Sequence, residues 1–196
     1  MRKQHLKVNL EKCILGADQV QYLRHTLSKN GVQPGLDKTI AIREAKPPTD
    51  VKQVRSFTGL CNYFRGYVKG FAILAAPLFK LTRNDCQWEG GELPADALAA
   101  FKELRKIIAS SPILRYPAKN GRYHLYTDAA QGDADNEGGL GAVLMQEDSK
   151  TGLKHVVGYA SRRLAKHEKN YPAFILEMQG CVFGMEHFEI LIRGRR

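Results

Sequence analysis

Two carboxylates stand where a metal-dependent reaction on a bulky substrate would need them. Asp128 closes a strand-like run on the face it shares with Tyr126 and His124, and the chain turns at once through Ala129, Ala130, Gln131 and Gly132. A carboxylate at a strand terminus, flanked by small residues, offers hard oxygen atoms to a divalent ion and leaves room for a large ligand. A capping or turn role is the plainer alternative for such a residue taken alone. Glu177 lies on a helical run beside Gly180 and Gly184. Interior glycines cost about 1 kcal/mol each in a helix, which makes sense if that helix approaches a sheet closely on the glycine side. The same side carries Glu177.

The elements that must position these residues follow from residue 122 onward. RYHLYTDAA, GGLGAVLMQ and HVVGYASRRL read as three strands, followed by one long helix from about Lys166 to Ile192. Tyr171, Phe174, Met178, Cys181, Val182, Met185, Phe188 and Ile192 recur at helical spacing as one apolar stripe, with Glu177 on its border. This half is mixed α/β. The loop QGDADNEGG brings Asp133, Asp135 and Glu137 near Asp128. Its spacing lacks the rest of an EF-hand, so a solvated acidic loop is expected rather than a calcium site. Ser161, Arg162 and Arg163, at the end of the third strand, are candidate phosphate contacts, with simple exposure as the alternative. His155, His167 and His187 form no interpretable pattern.

The front half has a different texture. Val20, Tyr22, Arg24 and Thr26 alternate with Gln21, Leu23, His25 and Leu27, and Asn30-Gly31 follows as a turn signal, so this is a hairpin-like piece. A short helix over 37–45 ends at Pro47-Pro48, and Asp50 with Gln53 three residues on reads as a weak capping box. Val51, Val54, Phe57, Thr58, Cys61, Phe64 and Val68 then form a packing face, while Lys52, Arg55, Asn62, Arg65 and Lys69 fall mostly outside it. On spacing alone those basic residues read as a solvated face. A short helix over 73–81 leads to a turn-rich linker or seam over 84–94 that holds Trp88, and residues 95–109 form an amphipathic helix.

With 43% hydrophobic and 26% charged residues in 196, the chain excludes wholesale disorder and collagen-like structure. Its net charge of +10 points to a polyanionic partner. Residues 1–122 hold 21 Lys and Arg against 10 Asp and Glu, net +11, whereas 123–196 hold 9 against 10, net −1. A basic front suits phosphates and a carboxylate-bearing back suits metal ions. The four cysteines are scattered without zinc spacing, and neither a signal peptide nor a long apolar run occurs. The chain reads as intracellular, cytoplasmic or nuclear, and not secreted.

The combination carries more than its parts. LYTDAA, GGLGAVLMQ, VVGYASRRL, HEKNYPAFILEMQ and FEILIRGRR, in that order, resemble the ribonuclease H domain of gypsy-type long-terminal-repeat retrotransposon Pol polyproteins. KVNLEKCILGADQVQYLRHTLSKNGVQP resembles the end of the reverse-transcriptase palm with its primer-grip hairpin, and VKQVRSFTGLCNYFRGYVKGFAILAAPLFKLT resembles the thumb. The resemblance implies an α/β (α+β) chain with a palm end over 1–35, thumb-like helices over 36–83, a connection over 84–116 and a ribonuclease H-like mixed sheet with a long helix over 117–196. It implies part of an RNA-directed DNA polymerase polyprotein whose nuclease hydrolyses the RNA strand of RNA·DNA hybrids with two Mg²⁺ ions, which Mn²⁺ can replace. Asp128 and Glu177 match the first two catalytic, metal-binding carboxylates. Lys52, Arg55, Arg65 and Arg162 would contact nucleic acid. The implied partners are an RNA·DNA hybrid or other duplex and the remainder of the Pol polyprotein, with no membrane; the oligomeric state stays open.

Departures from the family pattern set further expectations. The pattern continues beyond the Gly-Arg after the long helix into a strand with a third catalytic Asp, whereas this sequence stops at Arg196. The nuclease site is therefore expected to be incomplete, the isolated chain weak or inactive, and a sheet edge and the apolar surface of the Phe174–Ile192 helix exposed. A non-catalytic nucleic-acid-binding remnant is the alternative. No Asp-Asp dipeptide of the polymerase centre occurs. Arg24 stands where the primer grip usually has Gly, so backbone strain is expected there.

Overall fold

Short strands open the structure. This computed structural model describes residues 9, 11, 13–110, 112–133 and 137–193. β1 (Gln19–Tyr22), β2 (His25–Ser28) and β3 (Gly31–Pro34) form an antiparallel meander. The alternating run from Val20 to Leu27 is thus not one strand but a hairpin, broken at Leu23 and Arg24, whose φ angles are 45° and 64°. Two left-handed residues make the two-residue turn that matches strand twist, at a steric cost Gly would not carry. Surrounding contacts hold it. The Tyr63 hydroxyl donates to the Leu23 carbonyl, the Gly35 N–H donates to the Arg24 carbonyl at 2.8 Å, and the Arg24 guanidinium lies 5.5 Å from the Tyr63 ring centre. Arg24→Gly relieves the strain and forfeits only this exposed cation–π contact. It is expected to raise unfolding free energy by about 0.5–1 kcal/mol; a lower denaturant midpoint for the variant would show that Arg24 is not strained.

The helical front packs around one apolar cluster. α1 (Leu36–Arg43) ends ahead of the Pro pair, and α2 (Val51–Tyr63) begins with the expected capping box. Asp50 Oδ1 accepts from the Gln53 N–H at 2.7 Å, and Gln53 Oε1 accepts from the Thr49 N–H at 3.2 Å. A 3₁₀ turn over Arg65–Tyr67 leads to α3 (Phe71–Leu74) and α4 (Ala76–Lys80), two short helices where one was expected. Gly70 at φ 64° starts the first, and Pro77 opens the second, where its missing N–H costs nothing. α5 (Ala95–Ala109) closes the cluster, its Phe101 ring 4.6 Å from that of Phe57, with Ile42, Val54, Phe64, Phe71 and Leu104 buried around them. The 84–94 segment is more than a linker, because Cys86, Trp88 and Leu93 pack on this core.

The back half is a three-stranded antiparallel sheet in the order β4 (Tyr123–Ala130), β5 (Gly139–Glu147), β6 (Lys154–Arg163). Asp128 pairs with Gly141, which pairs with Ser161. α6 (Ala173–His187) and α7 (Glu189–Ile192) cover one face. The single helix expected from Lys166 is instead a 3₁₀ turn over Glu168–Asn170, a restart at Pro172 and a break at Phe188, whose φ of −101° and ψ of 12° leave the helical region.

The face that α6 buries also differs from the expected stripe. Leu176, Gly180, Gly184 and Phe188 are buried, whereas Phe174 and Met178 are 64% and 62% exposed and Val182 and Met185 also face outward. Glycine decides this. A Cβ on Gly184 would lie 3.1 Å from the Ala142 Cβ and from Thr127 Cγ2, so only a bare backbone fits at this spacing. The apolar surface expected to be exposed on this helix is present, and among the described residues β4 pairs only with β5.

The front docks on the other face of the sheet. Ile73 of α3 sits over Gly139, where a Cβ would come within 2.8 Å of its Cγ1, and the Ala72 N–H donates to Ser161 Oγ at 3.0 Å. Among the described residues no helix is long and apolar enough to cross a membrane.

Candidate functional site

Alternation along β4 determines what each face can offer. Leu125 and Thr127 meet Gly184, and Thr127 also meets Gly180, so odd-numbered residues face α6. Tyr126 and Asp128 are exposed on the opposite face, together with His124, whose ring stacks 6.4 Å from that of Tyr126. Lys154 fixes Tyr126 from β6, its Nζ donating to the hydroxyl at 2.9 Å. Asp128 lines a cavity of about 270 Å³ with Lys69, Gly70, Ile73, Gly139 and Gly141, formed where α3 overhangs the sheet.

Glu177 reaches the same strand end from the helix side. Gly180 lies against Asp128, a Cβ there falling 3.6 Å from the Asp128 carbonyl oxygen, and Glu177 precedes it by three residues, about 4.5 Å of helical rise. Cys181, four residues after Glu177 and so on its flank, approaches Thr127 Oγ1 at 3.3 Å through its sulfur. Glu177 therefore belongs to the flank of α6 that overlies β4, and its side chain is exposed. The Asp128 side chain and α6, which carries Glu177, thus lie on opposite faces of β4. Two hard carboxylates fit one Mg²⁺ or Mn²⁺, since Mg²⁺ is commonly held by one or two carboxylates with water and phosphate oxygens completing its shell. Among the described residues no three His, Cys, Asp or Glu side chains converge as a metal cluster.

The candidate basic residues divide by their partners. Lys52 is exposed on α2 with no hydrogen bond or ion pair among the described residues. Arg55 donates to the Thr82 carbonyl at 3.2 Å, and Arg65 donates to the Ser161 carbonyl across the seam. Arg162 forms a bidentate pair with Glu168 at 2.6 and 2.8 Å. The acidic loop is not simply solvated either. Glu137 accepts from Arg83 of the front and, at 2.6 Å, from Arg163 of β6. Burial pushes its carboxyl up, but the bonds and charges of Arg163 and Arg83 outweigh that and hold it below the usual range. Asp135 lies outside the described residues.

Glu168 is the buried hinge before α6. Its carboxylate takes the Arg162 fork and, at 2.7 Å, the Ala165 N–H, while its side chain is 6% exposed. The Arg162 hydrogen bonds hold its pKa down at about 2. Because this folded-state value lies below the ordinary carboxyl value of 4.5, the pair stabilises the fold above about pH 4.5 and loses that contribution as pH falls towards 2. The shift corresponds to about 3 kcal/mol. Glu168→Gln is expected to lower stability at pH 7 by about 2–3 kcal/mol and to flatten the melting-temperature profile between pH 4.5 and 2. A profile parallel to the parent's would contradict the assignment.

Sequence reasoning missed Glu168 as a part of these arrangements, and it singled out Arg163 only as a phosphate contact. Alternation did place Tyr126 beside Asp128, but nothing in the spacing announces pairing across 26 residues between Glu137 and Arg163.

Comparison with known proteins gives these features a context. Residues 94–196 match the family described as an RNase H-like domain found in reverse transcriptase. The chain is 33% identical to the retrovirus-related Pol polyprotein from transposon opus of Drosophila melanogaster, over 99% of this chain and 19% of that protein. It is 30% identical to the Pol polyprotein from transposon gypsy of the same organism, over 98% of this chain and 18% of that protein. The chain thus spans less than a fifth of the length of these relatives. A solved structure of the foamy viral protease-reverse transcriptase in complex with RNA/DNA hybrid superposes with a TM-score of 0.73 at 16% identity, covering 95% of this chain and 24% of that one. At that identity the likeness is one of fold.

Proposed function

The chain belongs to the RNase H-like domain family found in reverse transcriptases, and from that premise we propose that it binds RNA·DNA hybrid and presents Asp128 and Glu177 to Mg²⁺ for hydrolysis of the RNA strand. The observation that supports this reading is the packing of Gly180 against the Asp128 backbone, with Glu177 three residues before it on α6. A divalent ion bound there supplies an activated water and neutralises charge developing on the scissile phosphate. The chain's own residues do the rest. Asp128 and Glu177 supply hard negative oxygens, and Asp128 lines the cavity beneath α3. Lys52 and Arg55, one turn apart on α2, offer a basic strip to a phosphate backbone.

The charge division supports a second reading. A front of net +11 binds polyanions whether or not the back half performs chemistry, so a non-catalytic nucleic-acid-binding chain derived from a retroelement satisfies the same surface. Both readings require hybrid binding that weakens steeply with salt. Measured by fluorescence anisotropy, the affinity is expected to fall with a log–log slope of about −3 or steeper, and Lys52→Ala to reduce that slope by about one. A flat salt dependence would remove nucleic acid as the partner and both readings with it.

A further inference from the structure

A second cavity lies at the same end of the sheet, on the other side of α3 from Asp128. It measures about 240 Å³, and Asn62, Arg65, Phe71, Phe79, Arg162 and Arg163 line it. Three basic residues singled out from the sequence, Arg65, Arg162 and Arg163, thus meet at one place. We propose that this cavity is a binding site for a single phosphate group, and that in a bound duplex it takes a backbone phosphate of the strand passing Asp128. The second half of the proposal rests on the hybrid-binding reading; the first does not.

Charge supplies the first argument. Three guanidinium groups, Arg65, Arg162 and Arg163, line the cavity; Arg162 bonds Glu168, and Arg163 shares Glu137 with Arg83. Glu186 acts on Arg162 at longer range. Glu137 thus divides its charge between two arginines, and Arg65 bonds a carbonyl rather than a carboxylate. A seam built only to dock two halves gains nothing from uncompensated like charge, whereas an oxyanion supplies the missing balance.

Preorganisation supplies the second. Each arginine is already anchored: Arg65 to the Ser161 carbonyl, Arg162 to Glu168, and Arg163 to Glu137 with its guanidinium 5.3 Å from the Phe79 ring centre. A guanidinium has five N–H donors, and these anchors leave several free on each of Arg65 and Arg163. Anchored cations lose little entropy on meeting a ligand, and Arg suits phosphate geometry. Asn62 adds a side-chain amide at the mouth.

Position supplies the third. Ser161 lies two strands across from Asp128 through Gly141, roughly 10 Å at the usual strand spacing. Successive phosphates of one strand lie roughly 6–7 Å apart, farther than the ~3.4 Å axial rise because the backbone winds around the axis, so the span is about one to two nucleotide steps and one strand of a duplex can touch both places and be set in register by the first.

The test uses Asn62→Asp, which puts a carboxylate into the cavity without breaking any arginine anchor, and Arg65→Gln as an independent second variant. In one arm, inorganic phosphate is compared with chloride at equal ionic strength by thermal shift. Phosphate is expected to raise the parent's melting temperature and to leave Asn62→Asp unmoved. In the other arm, binding of an RNA·DNA hybrid is expected to weaken about tenfold in Asn62→Asp, and Arg65→Gln to lower the salt slope by about one. A phosphate shift with unchanged hybrid affinity keeps the site but assigns it to free phosphate or a nucleotide, overturning the register role. Equal phosphate shifts in parent and Asn62→Asp, or none in either, would overturn the site itself. If the parent does not bind hybrid, the proposed function fails separately, and the phosphate arm still decides the site.

Discussion

Gly184→Leu is expected to destabilise the sheet unit by about 3 kcal/mol. The new Cβ would sit 3.1 Å from Ala142 Cβ and Thr127 Cγ2 and 3.2 Å from Leu125 Cδ2, and the rest of the side chain has nowhere to go but into β4 and β5. α6 would have to lift off, drawing Glu177 away from Asp128, so metal affinity should fall with stability. Val182→Ala is the control. It lies on the outward stripe of the same helix, 44% exposed, and is expected to change stability by no more than about 0.5 kcal/mol. Chemical denaturation followed by circular dichroism reads both. Equal effects at the two positions would mean that α6 does not pack through its glycines.

Asp128→Asn carries the second large effect, in catalysis. Two carboxylates can hold one divalent ion well and a second poorly, so cleavage of a hybrid by the isolated chain is expected to be slow. Whatever cleavage occurs should fall at least 100-fold in Asp128→Asn, about 2.7 kcal/mol of lost transition-state stabilisation, and similarly in Glu177→Gln. Folding should be untouched, because both side chains are exposed. A chain that binds hybrid but shows no cleavage in Mg²⁺ or Mn²⁺ before substitution would favour the binding-only reading.

Legibility varied with the kind of interaction. Local signals translated directly: the Asp50–Gln53 capping box is present, the three back strands fall where period-two alternation put them, and Arg24 adopts the left-handed conformation expected of a position that usually holds Gly. The burial face of α6 was harder, since apolar residues occupy both of its sides and periodicity cannot choose between them. Gly180 and Gly184 were the deciding signal, because the spacing they permit is worth more than the area Phe174 or Met178 would bury. The interruptions at Pro172 and Phe188 were lost in the same apolar run. Least legible was the fate of charge. Glu137 and Arg162 look like surface residues in sequence, yet each is pinned by a partner whose position depends on how the sheet and the front meet. Lys52 remained on an open helix face, while Arg65 became part of the seam.

The central proposal is that Asp128 and Glu177 hold one divalent ion between them at the end of β4. Its most direct test is a Mn²⁺ titration followed by electron paramagnetic resonance, with saturating RNA·DNA hybrid, on the parent chain, Asp128→Asn and Glu177→Gln. The account predicts one Mn²⁺ bound by the parent and at least about tenfold weaker binding in each variant. Equal Mn²⁺ affinity in all three proteins would contradict it, since neither carboxylate would then be a ligand.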